Sequence, residues 1–303
     1  MHLIERQRNG ETVDQGLFKN VVDSFVSLGI DEYDLNKTSL NNYKEHFEAP
    51  FLVATEAYFK HESWRFHAET SISGYLKKTE VRLKEEEDRV ERYLHPSTRK
   101  PLITTLVRVH ADSMLEAFQS LLDHDKDEDL PRMYSLLSRS PEGLEPLRMK
   151  FEEHVKRTGL AAVYTLVGTD PAEIEVLEPK VYVDALIEVH TKSLETVNRC
   201  FKGEAGFVAS LDKACREFVN RNTATGTSSS KSPELLAKHV DALLLKNNKV
   251  SEEGDLEGAL NCVVRKLLVV HHEAHVEALP IDGHIQVPRG EGRLPDILFN
   301  KTL

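Results

Sequence analysis

Apolar residues recur every three to four positions along most of this chain, the spacing of amphipathic helices rather than the alternation of strands. Over residues 17–28 the pattern places Val21, Phe25 and Leu28 on one face, with Gly29 as the stop. A second helix is expected to open near Ser39. In it Phe47, Phe51, Ala54 and Tyr58 recur at offsets of four, three and four, which forms one apolar stripe. Pro50 lies inside this segment, removes one backbone donor and is expected to bend it.

Residues 73–94 predict a long charged helix whose buried seam is Leu76, Thr79, Leu83, Val90 and Tyr93 or Leu94. Glu80 with Lys84 and Glu85 with Arg89 are oppositely charged pairs four residues apart, each worth about 0.3–0.5 kcal/mol. On that reading the run KEEED (84–88) is a solvated helix face. Pro96 ends the helix, because the residue before a proline avoids the helical region.

Further helices are predicted over 102–122, 130–138 and 144–163, over a segment carrying Leu186, Leu194, Val197 and Phe201, and over one carrying Phe207, Leu211, Ala214 and Phe218. After the polar loop TATGTSSSK, Ser232 is expected to cap a last helix, with Pro233 in its first turn and Glu234 near the positive end of its dipole. No main-body segment alternates as a strand does. The predicted fold class is all-α, with helix-rich blocks at 41–165 and 166–262 as successive units of one architecture. Residues 263–303 lack a sustained period and are expected to form an irregular, poorly ordered tail.

Charge and composition narrow the function. The 303 residues carry 50 acidic and 39 basic side chains, a net charge of -11. Such a chain gains little from counterion release on DNA or RNA, so nucleic acid is not the expected partner. No run reaches the ~20 apolar residues needed to span a bilayer, so no membrane partner is expected. The opening MHLIERQRNGE has no apolar signal-peptide core. The three cysteines, Cys200, Cys215 and Cys262, form no CxxC pair and no disulfide framework, and read as buried free thiols. The expected location is the cytoplasm and nucleus.

Candidate chemistry is sparse. His271 and His275 of HHEAH would share one face of a helix, but a zinc-protease motif needs HExxH, and here one residue separates Glu273 from His275. His190 falls on the apolar side of its helix and reads as a core histidine. The run DHDKDED (123–129) lacks the central glycine and twelfth-position glutamate of a calcium loop, Tyr134 standing at the latter, so it reads as a solvated turn. No phosphate-binding glycine loop or nucleophile elbow is present. The expectation is a scaffold with no catalytic, cofactor-binding or metal-binding residues.

Five blocks carry a family resemblance: YKEHFEAPFLVATEAYFKHES (43–63), YLKKTEVRLKEEEDRVERYLHPST (75–98), LLDHDKDEDLPRMYSLLSR (121–139), GFVASLDKACREFVNRN (206–222) and SSSKSPELLAKHVDALL (228–244). Together they resemble the cullin family, most nearly its SCF-type branch, over about residues 3–262. The resemblance implies an elongated array of cullin repeats. Residues 1–40 would be the end of a first repeat, 41–165 a second, 166–262 a third, and 263–303 an unmatched tail. It also implies a scaffold subunit of a cullin-RING ubiquitin ligase, acting in ubiquitin-dependent protein catabolism. In the family an F-box-type substrate-receptor adaptor docks at one end and a RING-box protein at the other. Both docking regions, and the lysine that accepts the ubiquitin-like modifier, are expected to fall outside this chain, truncated at both ends. A helical interaction stalk outside ubiquitin transfer, such as a tethering factor, is the competing reading.

Overall fold

The computed structural model describes residues 1–29, 39–167, 177–224 and 231–247, with backbone alone at 67–68 and 243–247. The helices are α1 (His2–Arg8), α2 (Gln15–Ser27), α3 (Asn41–Tyr43), α4 (Ala49–Glu69), α5 (Ile72–Tyr93), α6 (Arg99–Asp123), α7 (Asp129–Leu137), α8 (Glu145–Val167), α9 (Pro179–Cys200), α10 (Ala205–Asn220) and α11 (Lys231–Asn247). Among the described residues there is no strand. The all-α expectation holds.

Packing passes along the chain from neighbour to neighbour. α2 lies on α5, α4 and α5 lie on α6, α6 meets α7 and α8, α8 meets α9 and α10, and α9 carries α11. One cluster of buried side chains runs through all of these contacts, from Ile4 to Leu236. Its densest point is aromatic. Phe201 and Phe207 stack with centroids 4.1 Å apart, Phe151 meets both edge-on, and Tyr134 and Phe118 close on Phe201 from the sides. These rings come from α6, α7, α8, α10 and the turn after α9. Burying each contributes about 2 kcal/mol, so the knot ties five segments with non-directional energy.

Two glycines are required by geometry. Gly203, at φ +65, makes the left-handed reversal between α9 and α10, and its amide donates to the Val197 carbonyl at 3.1 Å. Gly159 on α8 lies against the Phe218 ring of α10; a Cβ there would stand 2.3 Å from the ring. That contact lets the two helices approach closely.

The seam expected in α5 is buried throughout, at Leu76, Thr79, Leu83, Val90, Tyr93 and Leu94. Three other expectations need correction. In α2 the inward face is Phe18, Val22, Phe25 and Val26, while Val21 and Leu28 are 45% and 70% exposed. The apolar arc of α2 is wide enough to permit either face, and contact with α5 selects the one bearing Phe18 and Val22. Ser232 lies inside α11, fully buried, and accepts a hydrogen bond from the Tyr182 hydroxyl at 2.8 Å instead of capping. The KEEED run is not wholly solvated, because Glu86 is 1% exposed. Pro50 does perturb its helix: the chain widens into a π turn, Lys44–Glu48, directly before it. An α-helical bond from position 50 to the His46 carbonyl is impossible there, and a π turn is a common way to absorb such a break.

Candidate functional site

The most specific polar arrangement is internal. Arg8, in the last turn of α1, reaches across α4 to α5. Its Nε and Nη2 donate to the two carboxylate oxygens of Glu86 at 2.9 and 2.8 Å, and Nη2 also donates to Thr55 Oγ1 at 2.8 Å. The guanidinium carbon lies 5.0 Å from the Phe59 ring centroid and 5.2 Å from that of Tyr58. Arg89 donates to the same carboxylate from one turn along α5, and its Nε donates to Gln7 at 3.0 Å. Tyr93 completes the set by donating to Gln7.

Burial alone would push the Glu86 carboxyl up. The hydrogen bonds and charges of Arg8 and Arg89 outweigh it and hold the group below the usual glutamate range. Burial would lower Arg89, and Glu86 with Tyr93 raises it instead. Both groups stay charged at neutral pH, so that two guanidiniums share one carboxylate.

A second buried network joins the next three helices. Tyr75 on α5 shares its hydroxyl with Ser63 of α4 at 2.6 Å and with His110 Nδ1 of α6 at 2.7 Å. Burial pushes His110 down to about 4, so the imidazole is neutral. A third network sits at the π turn. The Thr98 hydroxyl donates to the buried Glu48 carboxylate at 2.7 Å, and Tyr43 donates to Thr98 at 2.7 Å.

None of the groups singled out in the sequence forms a reacting centre in the described residues. The carboxylates of the 123–129 turn diverge. Asp123 pairs with Arg157 at 2.6 Å and His154 at 3.1 Å, Asp125 with Lys192 at 2.9 Å, Asp127 with Arg199 at 2.7 Å, and Asp129 with Arg132 at 3.5 Å. They neutralise cations on different helices and do not converge on one point. His190 is buried in α9. Cys200 and Cys215 are buried free thiols, and burial pushes Cys215 up to about 12, so it carries no thiolate at neutral pH. His271, His275, His284 and Cys262 lie outside the described residues. Among the described residues no three His, Cys, Asp or Glu side chains gather as a metal site would require, and no helix is long and apolar enough to cross a membrane.

Sequence reasoning missed Glu86 and Arg89 as interior residues. A signal for Glu86 was present, because 76, 79, 83, 86, 90 and 93 repeat in steps of three and four. Glu86 occupies a seam position; only its charge argued for solvent.

Helices packed in chain order and joined by buried polar networks define an all-α helical stack. The comparisons give that class a family. Residues 1–272 match the Cullin alpha solenoid domain. Cullin-1 of Dictyostelium discoideum is 46% identical over 270 residues, covering 87% of this chain and 34% of the relative. Cullin-1 of Schizosaccharomyces pombe is 42% identical over 268 residues, 87% of this chain and 35% of the relative. Cullin-4A of Homo sapiens is 31% identical over 281 residues, 91% of this chain and 33% of the relative. The chain belongs to the cullin family, and it spans about a third of the length of the curated relatives it matches. The family match also reaches past Cys262 into the segment that shows no clear helical period.

Proposed function

We propose that this chain is stalk sequence of an SCF-type cullin, a non-catalytic scaffold that positions the parts of a cullin-RING ubiquitin ligase for ubiquitin-dependent protein catabolism. The carrying observation is the unbroken core from Ile4 to Leu236, closed at one end by the buried Arg8–Glu86 tie. A well-packed interior transmits strain and resists bending, which a spacer between two docked partners needs. Holding a substrate lysine near an activated carrier raises effective concentration, and scaffolding can accelerate transfer in this way without a reacting group of its own. The identity to two Cullin-1 relatives supports the SCF-type assignment. In this reading residues 41–165 and 166–262 are successive cullin repeats, the partners are an F-box-type adaptor and a RING-box protein, and the complex works in cytoplasm and nucleus.

The test is affinity purification of the chromosomally tagged protein under native conditions, with mass spectrometry of its partners and imaging of the same tag. If the tagged gene product carries both docking regions, the reading expects adaptor and RING-box subunits in near-stoichiometric amounts. Stoichiometric tethering or trafficking proteins with neither subunit would overturn it.

A further inference from the structure

Beside the aromatic knot, an open cleft of about 600 Å³ lies between the end of α6, α8 and α9. That volume falls within the range of sites that accept several side chains or a small ligand. Small side chains make the room: Ala161 and Ala162 on α8 face Ala185 on α9, above Val189 and Phe151. The hydroxyls in its walls are satisfied within their own helices. Thr158 donates to His154 O at 2.8 Å, Ser193 to Val189 O at 2.7 Å and Thr196 to Lys192 O at 3.1 Å, each within its own helix. The alanines with Val189 and Phe151 therefore supply an apolar patch set among charged side chains.

Its charges do not balance. Five charged residues line it: Asp123, Asp125, Glu188, Arg157 and Lys192. Both cations are engaged, Arg157 with Asp123 at 2.6 Å and Lys192 with Asp125 at 2.9 Å. The remaining lining histidine, His154, has its pKa lowered by burial, partly offset by Asp123. Glu188 is exposed and, among the described residues, is the lining carboxylate with no cation on it.

We propose that this cleft is a docking site for a partner protein segment that carries a bulky apolar side chain next to a lysine or arginine. The apolar group fills the space over the alanines, and the cation answers Glu188. This goes beyond the ligase reading and does not depend on it, since the cleft can be tested without any ligase subunit.

The probes are two capped dipeptides, acetyl-Trp-Lys-amide and acetyl-Trp-Glu-amide, which share a ring and differ in charge. Titration of the methyl-labelled full chain is followed at the Ala161, Ala162, Ala185 and Val189 methyl signals. The proposal expects saturable shifts at these methyls, with the lysine peptide binding about fivefold tighter, the size of one partly exposed ion pair. Glu188→Gln, a surface change, should remove most of that preference. Ala162→Phe should fill the cleft and abolish the shifts. The absence of saturable shifts, equal binding of both peptides, or a preference that survives Glu188→Gln would overturn the proposal.

Discussion

The guanidinium of Arg8 and the carboxylate of Glu86 meet through two parallel hydrogen bonds of 2.9 and 2.8 Å, although 78 residues separate them in sequence. Their side chains are 4% and 2% exposed. Such a pair is a geometric device more than a source of stability. Taking both charges out of water costs several kcal/mol, which the contact offsets only when its geometry is good. Here it fixes where α1 lies on α4 and α5, because a guanidinium can satisfy both carboxylate oxygens in few orientations.

Removing both partners should therefore cost less than the two single losses added together. Arg8→Met leaves the Glu86 carboxylate buried with Arg89 alone, and should destabilise the chain by about 3 kcal/mol. Glu86→Leu strands Arg8 and Arg89 together and should cost more, while the double change Arg8→Met with Glu86→Leu strands Arg89 alone and should cost less than the sum of the two singles. Denaturant unfolding of the two singles and the double gives the coupling. Additive losses would mean that the pair does not act as a unit.

The networks around Glu86 and His110 also set a dependence on pH. His110 is held neutral, with its pKa lowered by burial from 6.5 to about 4. In the unfolded chain it takes up a proton below about 6.5, so its contribution is complete above that pH and is lost as pH falls towards 4. The full span is worth about 3 kcal/mol at most. Glu86, held below its usual range, adds a second loss beginning as pH falls through the ordinary glutamate value near 4.5. Unfolding free energy measured from pH 7.5 to 4.5 should decline, and His110→Gln should flatten that decline. An unchanged slope in the variant would contradict the assignment.

Close approach of α8 and α10 gives a third expectation. Gly159→Ala would gain up to about 1 kcal/mol of helix propensity at an exposed position. At this one its Cβ meets the Phe218 ring at 2.3 Å, so the net effect should be destabilisation of about 1–3 kcal/mol. Phe218→Leu combined with Gly159→Ala should lose less than the two single losses added together. Thermal unfolding of the four proteins decides it.

How much of this was legible depends on where the deciding partner sits. Leu76, Leu83 and Val90 could be placed inside from α5 alone, because a helix period is a local property. The missing donor at Pro50 was readable for the same reason, since it is a fact about one residue, whereas the π turn that precedes it was not. Glu86 and Arg89 were not, because what makes their burial tolerable is Arg8 and Gln7 on another helix. Ser232 looked like a cap by its neighbours, yet Tyr182, 50 residues earlier, claims its hydroxyl. The face of α2 was misplaced by about one residue, since Val21 and Val22 are equivalent until α5 is known to lie beside the latter. Family membership was readable from the blocks at 43–63 and 75–98, where a long ordered match carries more information than periodicity.

A scaffold of this kind requires the described helices to behave as one stiff body. Spin labels at Lys84→Cys on α5 and Ala237→Cys on α11, with Cys262→Ser to remove a competing thiol, would report the distance along the stack by pulsed electron resonance. A stiff spacer predicts a single narrow distribution that does not change between low and high salt. A broad or two-peaked distribution would show that the helices shift against one another, and a protein that bends so freely could not set the distance between two docked partners.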